Sequence, residues 1–321
     1  MKVDDIRKVA ILGAGTMGAG VALCFAQTGF ELNLYDINTE QLANSLDRVK
    51  KAQEVMVREG IFSSESVLKA RDRIHLSTDL KASLDGVEFV LETAPENLEL
   101  KQELFGQVDL LCPTKTIFAT NTSGLSITKI ALACRSPERV AGMHWVNPPH
   151  LVPLVEIIRG VKTSTSTVKL ISQLTRKLGK IPVIIHAEVP GFGLNRLQFA
   201  VLREALHMID TGVVSAEDLD RIMQYGLGFR YPWIGPIKTA DLGGLDVFHS
   251  IATYLYKELS AEQKPPESFT KLVSQNNLGV KTGRGFYLYP PEVRQKVVAK
   301  RDLCFIRQWK LMKEVAEGDD R

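Results

Sequence analysis

Short apolar runs and longer amphipathic stretches alternate through the first half of the chain. Residues 8–12 read as a buried parallel strand, because apolar side chains fill consecutive positions instead of every second one. Residues 17–28 read as a helix, with Val21, Ala22, Phe25 and Ala26 at helical spacing and Gly29 closing it. Residues 31–35 give a second strand. Helical sequence then fills 39–73, broken near Gly60, and is longer than a simple crossover needs. Strands follow at 74–76, 89–91 and 117–119, separated by helical stretches such as 98–110. Residues 140–144 and 154–158 are two further strands, with Asn147-Pro148-Pro149 between them. An amphipathic helix at 165–178 leads to a last buried strand at 181–185. This alternation predicts an α/β domain built on a doubly wound parallel sheet, with a helical excursion after the second strand.

The pattern changes at Val189-Pro190-Gly191. From Phe192 onward only helical periodicity remains: 192–210, a helix starting at Ser215 with Glu217 and Asp218 in its first turn, and 246–259. The charged stretch 292–321 reads as one more helix. Two domains are therefore expected, 1–187 and an all-α domain over 188–321. No internal repeat or low-complexity segment interrupts them.

Composition narrows the function class. Of 321 residues 45% are hydrophobic and 24% charged, ordinary values for a globular protein. A net charge of +3 is too small to argue for nucleic acid or an anionic membrane as partner. Cys24, Cys112, Cys134 and Cys304 lack Cys-x-x-Cys spacing, and the histidines form no His-x-x-x-His pair, so no metal site is expected. There is no apolar run of membrane length, and the charged start, 1–5, reads as no secretory signal. A cytoplasmic enzyme acting on a small molecule is the expectation.

The first strand runs into Gly13-Ala14-Gly15-Thr16-Met17-Gly18, and the second delivers Asp36 at its carboxyl end. That is the Gly-x-Gly-x-x-Gly turn of a Rossmann βαβ unit. Gly13 allows the tight turn, Gly15 lets the backbone approach a pyrophosphate, and Gly18 lets helix and strand pack closely. The backbone amides of Thr16 and Met17 open the helix and face the phosphates. A carboxylate at Asp36 accepts bonds from ribose hydroxyls and repels the extra phosphate of NADP, so NAD is the expected cofactor. A turn that merely connects strand to helix is the bland alternative, and the complete βαβ context weighs against it.

His144 ends one strand, and Glu156 lies inside the next. A carboxylate buried in a strand is costly unless paired. A hairpin-like return would set it beside His144, fixing the imidazole tautomer and stabilising the protonated ring, as a general base requires. A core histidine bonded to backbone is the competing reading. Asn195 shares a helix face with Phe199, Leu202 and Leu206 and should be buried. Its amide would contact either substrate or protein. Ser123 follows the carboxyl end of a strand, where open α/β sheets bind ligands. It would equally serve as a helix N-cap.

Together these residues resemble the L-3-hydroxyacyl-CoA dehydrogenase family over nearly the whole chain. The motifs are Gly-Ala-Gly-Thr-Met-Gly, Pro95-Glu96-Asn97-x-x-x-Lys101, Asn121-Thr122-Ser123, His144-x-x-Asn147-Pro148 and Leu154-Val155-Glu156. Pro190-Gly191-Phe192-x-x-Asn195-Arg196 and Lys281-Thr282-Gly283-x-Gly285-Phe286-Tyr287 complete the set. The resemblance implies NAD at Asp36, Glu96, Lys101, Ser123, Asn147 and Lys281. It implies His144 as base, Glu156 as its orienting partner, Ser123 and Asn195 as substrate contacts, and a homodimer built through the helical domain.

The departures concern the substrate. An ungapped register from Asp36 puts Ala52 and Glu59 where the family's CoA-contacting Ser and Lys sit, and a carboxylate is a poor neighbour for CoA phosphates. Trp145 replaces the usual Phe, Gly124 a Ser, Pro149-His150 is unusual, and the tail from Pro291 is an addition. These features resemble the branch acting on small acids without CoA, such as the carnitine, gulonate and pyridine-aldehyde dehydrogenases. A small hydroxy acid, or a hydrated aldehyde beside a carboxylate, is the expected substrate. A short-chain 3-hydroxyacyl-CoA dehydrogenase and a redox-silent, crystallin-like protein are the alternatives.

Overall fold

The computed structural model describes residues 1–319, with side chains described through residue 316. The chain divides into two compact units, Met1–Arg196 and Leu197–Arg321.

The first unit is built on eight strands: β1 (Lys8–Leu12), β2 (Glu31–Tyr35), β3 (Ile74–Ser77), β4 (Phe89–Glu92), β5 (Ile117–Thr120), β6 (Val140–Trp145), β7 (Leu154–Ile158) and β8 (Ile181–Ile185). They lie in the order β3-β2-β1-β4-β5-β6-β7-β8. Neighbours are parallel except β6 and β7, which are antiparallel with His144 opposite Glu156. The order reverses between β1 and β4, so the crevice above the carboxyl ends of β1 and β4 is the ligand-binding switch point of such sheets.

The helices follow the periodicity. α1 (Thr16–Gln27) is small and apolar and is buried along most of its length. The excursion is two helices, α2 (Thr39–Arg58) and α3 (Ser64–Asp72), with Gly60 at φ 68° between them. Asn38 caps α2 and Ser63 caps α3. A short turn, α4 (Leu80–Ser83), precedes β4. α5 (Leu98–Leu111), α6 (Ile127–Ala131) and α7 (Thr165–Lys177) complete the layers. The main core lies on one face of the sheet, where Phe25 stacks on Phe89 and contacts Trp145. A second cluster around Phe105 and Phe118 fills the other face.

β8 departs from the expectation of a buried strand. It is the sheet edge, and Ile181, Val183 and Ile184 are exposed. The apolar run predicts burial on both faces, but Ile181 and Val183 point to one face and Ile184 to the other, and neither face is fully covered at this end of the sheet.

The second unit is helical apart from two isolated antiparallel bridges, Gly279 with Arg284 and Arg284 with Leu288. α8 (Leu194–Asp210) enters it from the first unit. Its apolar face is unevenly covered: Leu206 is buried, Leu202 half-buried and Phe199 60% exposed. Ser215 caps the helix Ala216–Ile222 by accepting from the Asp218 amide, as its sequence predicts. The tail forms a helix over Pro291–Asp319, and residues 320–321 of the predicted tail helix lie outside the described residues. Among its described residues, this unit buries only Leu206, Ser260 and Ile306.

Candidate active site

The glycine turn is held by contacts that leave little room for side chains. Gly13 has φ 111°, and a Cβ there would lie 2.8 Å from the Thr93 backbone. A Cβ on Gly18 would lie 1.9 Å from the Gly13 carbonyl oxygen. At Gly15 the opposite holds: an added Cβ would meet nothing within 4 Å. The turn is thus closed beneath and open above, at the start of a helix whose N-cap, Gly15, offers no side-chain acceptor to the first amides. Thr16 and Met17 begin that helix. These features fit a pyrophosphate.

Asp36 follows β2 and anchors the turn from the side. Its Oδ2 accepts from the Ala14 amide at 2.8 Å, and its Oδ1 from the Asn38 amide at 2.9 Å. Each oxygen keeps acceptor capacity for a ribose hydroxyl.

Across the switch point, the loops after β4 and β5 are joined through carboxylates. Glu96 Oε1 accepts from Thr122 Oγ1 at 2.5 Å and from the Ser123 amide at 2.9 Å. Lys101 is 1% exposed, so the structure places its ammonium beneath the surface. It donates to Glu92 Oε1 at 2.6 Å and to the Ala94 carbonyl at 3.1 Å, and lies 3.5 Å from Glu96 Oε2. Glu92 was not singled out by sequence. It is fully buried and also accepts from Thr120 Oγ1 and the Ala94 amide, both at 2.6 Å. Burial pushes the Glu92 carboxyl above the usual carboxylate range, against the opposing pull of Lys101, Thr120 and Ala94. Its one sequence signal is an acid at the end of an apolar strand, weaker than that of Glu156, which lies inside one.

The antiparallel register of β6 and β7 brings the predicted pair together: His144 Nδ1 and Glu156 Oε2 are 2.8 Å apart. Both side chains are buried, at 6% and 2% exposure. A carboxylate only accepts, so Nδ1 carries the proton and Nε2 is the ring nitrogen left for a substrate. The other carboxylate oxygen, Oε1, accepts from the Gly193 and Leu194 amides at 3.0 and 2.8 Å, at the start of α8. Burial pushes Glu156 up, but the bonds from His144, Leu194 and Gly193 outweigh it and hold the carboxyl below its usual range. Phe192 packs its ring edge-on to His144 at 5.7 Å.

Asn195 sits one residue into that helix. It is half-buried instead of buried, because the apolar face it shares is unevenly covered, and its Nδ2 donates to the Ser123 carbonyl at 3.1 Å. Ser123 itself is exposed, and Ser126, not Ser123, caps α6. Asn147 is exposed in the loop between β6 and β7. That loop is pinned by Lys180 Nζ, which donates to the Pro149 and Val152 carbonyls at 2.7 and 2.8 Å. Ser123, His144, Glu156 and Asn195 are therefore linked through two hydrogen-bonded pairs, with Glu156 also tying His144 to the helix that carries Asn195. Lys281 belongs to the helical unit, exposed in the turn before the Gly279–Arg284 bridge closes. Among the described residues no cluster of His, Cys, Asp or Glu is placed to hold a metal ion, and no helix is long and apolar enough to cross a membrane.

Residues 8–189 match the model for the 3-hydroxyacyl-CoA dehydrogenase NAD-binding domain, and residues 191–289 the C-terminal domain of the same family. The chain is 35% identical to 5-formyl-3-hydroxy-2-methylpyridine 4-carboxylate 5-dehydrogenase of Mesorhizobium japonicum, over 92% of this chain and 95% of that protein. A solved structure of an enzyme with that activity, described as an NAD+-dependent dismutase, superposes with a TM-score of 0.90 at 33% identity, covering 96% of this chain and 99% of the other. The (S)-3-hydroxybutyryl-CoA dehydrogenase of Ralstonia eutropha superposes at 0.73 with 34% identity, covering 89% of this chain and 99% of that one.

Proposed function

The chain belongs to the 3-hydroxyacyl-CoA dehydrogenase family of NAD-dependent enzymes acting on CH–OH groups, and from that premise we propose that it oxidises a small hydroxy acid, or a hydrated aldehyde beside a carboxylate, with His144 as general base. The 2.8 Å contact between His144 and Glu156 carries the acid–base assignment. In this reading 1–187 is the NAD-binding domain and 188–321 the helical domain.

When bound, NAD supplies the hydride acceptor. Gly13, Gly15 and Gly18, with the amides of Thr16 and Met17, would hold its pyrophosphate, and Asp36 one ribose. Glu96, Ser123 and Asn147 would hold the rest, while buried Lys101 acts through Glu96 and the Ala94 carbonyl. His144 takes the substrate hydroxyl proton at Nε2 as the C–H bond breaks. Glu156 keeps Nδ1 protonated and stabilises the imidazolium that forms. Ser123 and Asn195 orient the substrate oxygen. A redox-silent, crystallin-like role has no need of this buried, oriented pair.

The preference for a small acid over a CoA thioester draws on two observations. Ala52 packs partly buried against the core, and Glu59 closes α2 with its carboxylate 3.7 Å from Arg58, so neither supplies a cation for a phosphate. The relative acting on a pyridine carboxylate also superposes better, at 0.90 against 0.73. The test compares kcat/KM for 5-formyl-3-hydroxy-2-methylpyridine 4-carboxylate and for 3-hydroxybutyrate with that for acetoacetyl-CoA. The free acids are expected to be better by at least about tenfold, or ~1.4 kcal/mol of transition-state binding. A thioester value near ~10⁶ M⁻¹s⁻¹ or above, with free acids orders of magnitude poorer, would establish the short-chain 3-hydroxyacyl-CoA alternative.

Dimerisation through the helical unit completes the reading. A unit that, among its described residues, buries only two apolar side chains, Leu206 and Ile306, while Phe199, Ile237, Leu242 and Tyr254 stay open, lacks a core sufficient for independent stability. Light scattering at micromolar concentration should give twice 35.6 kDa, and a monomer mass would count against it.

A further inference from the structure

One hydroxyl joins the loops after β4 and β5. Thr122 is buried, and its Oγ1 donates to Glu96 Oε1 at 2.5 Å. The same oxygen accepts from the Leu125 amide at 3.0 Å and, more loosely, from the Gly124 amide at 3.4 Å. Glu96 Oε1 also takes the Ser123 amide at 2.9 Å. The three consecutive amides that shape the Ser123 turn therefore all end on Glu96 or on the hydroxyl bonded to it.

Glu96 is in turn positioned from below. Lys101 lies 3.5 Å from its Oε2 while bonded to buried Glu92, and Glu92 is bonded to Thr120, whose Oγ1 accepts from the Thr122 amide at 3.2 Å. These bonds close a ring through the ends of β4 and β5. Glu96, 45% exposed, is the member most open to a ligand.

We infer that Thr122 is a positioning residue that couples cofactor binding to the shape of the substrate loop. The inference rests on the assignment of Glu96 to the cofactor. A ribose hydroxyl donating to Glu96 restrains that carboxylate. The restrained carboxylate holds Thr122 and the Ser123 amide, so Ser123 and the carbonyl that receives Asn195 are set before substrate arrives. Linkage makes the effect mutual: substrate held by Ser123 tightens the cofactor by the same factor.

The test needs no substrate. NADH affinity is measured by fluorescence titration, AMP affinity by calorimetry, and exchange of the Ser123, Gly124 and Leu125 amides by hydrogen–deuterium exchange with and without saturating NADH. AMP reports the Asp36 side of the crevice, across the switch point from Glu96. In the native protein NADH should slow exchange at all three amides. Thr122→Val keeps the shape and removes the hydroxyl. It should speed exchange at Gly124 and Leu125 about tenfold, the worth of roughly one hydrogen bond, and abolish their further slowing by NADH. AMP affinity should stay native, and Thr122→Ser should restore the native pattern.

Native NADH-linked protection in Thr122→Val would overturn the coupling. So would a Thr122→Ser variant as impaired as Thr122→Val, since packing of the methyl would then be the cause. Loss of AMP affinity in step with NADH would mark general damage and also refute it. Should Thr122→Val fail to fold, Glu96→Ala breaks the same bond from an exposed position and must abolish the protection at Gly124 and Leu125 at saturating NADH. Glu96→Ala separates the two levels of the argument. Unchanged NADH affinity there removes Glu96 from the cofactor site, whereas weakened affinity with intact protection in Thr122→Val removes the coupling alone.

Discussion

His144→Ala is expected to lower turnover by ~10²–10⁴-fold, the usual worth of a positioned general base, while NAD binding stays close to native. The imidazole, on β6, is bonded to Glu156, with β4 and β5 between it and the glycine turn after β1, and Asp36 lies one strand further on, so its loss removes no contact from the phosphate or ribose elements. The effect belongs in kcat, because the proton moves only as the C–H bond breaks. Native-like turnover on the true substrate would remove His144 from the mechanism. Glu156→Gln should be milder on proton transfer but costly to structure. An amide presents one acceptor oxygen, whereas Glu156 accepts from His144 on one oxygen and from Gly193 and Leu194 on the other.

The pH dependence follows from the same bonds. Glu156 is held below its ordinary value of 4.5, so the stabilisation it confers is fully present above that value. It is lost as pH falls through the lower, folded-state value and the carboxyl protonates. Thermal unfolding of the native protein should therefore show a larger loss of stability on the acid side of 4.5 than Glu156→Gln does, since Asp109, also held low by its arginines, titrates in both.

The sheet was legible in the sequence because parallel strands buried on both faces write themselves as consecutive apolar residues, as Val9 to Leu12 do. The His144–Glu156 pair was legible for a related reason: an acid inside an apolar strand demands a partner, and a short loop carrying Pro148, Pro149 and Pro153 makes the next strand antiparallel. Edge position was not legible. Ile181 to Ile185 is as apolar as β1, and nothing in its composition tells that no strand follows on the far side. The unevenly covered face of α8 was misread for the same cause, since periodicity reports that Phe199 and Leu206 share a side, not that anything in this chain covers all of it. The ring through Glu92, Lys101, Thr120 and Thr122 escaped sequence reading because its members come from two strand ends and a helix. Their pairing exists only once β4 and β5 lie side by side.

NADP is expected to serve at least about 10²-fold worse than NAD in kcat/KM, because like charges brought together cost several kcal/mol and each 1.4 kcal/mol is a factor of ten. The ribose phosphate would have to approach Asp36, whose two oxygens are fixed by the Ala14 and Asn38 amides. A carboxylate tied down by backbone cannot swing aside to admit a phosphate. The residues that follow it, Ile37, Asn38 and Thr39, offer no cation to bind one. Asp36→Ala should therefore act in two directions. It removes the repulsion and narrows the preference, and it also releases the Ala14 amide, loosening the turn that cradles the pyrophosphate. The NAD KM should rise with little change in kcat, while NADP improves in relative terms and stays poor in absolute ones. Steady-state kinetics of native protein and variant with both cofactors provide the check. Equal efficiency of NAD and NADP with the native enzyme would show that Asp36 shapes the glycine turn without reading the ribose.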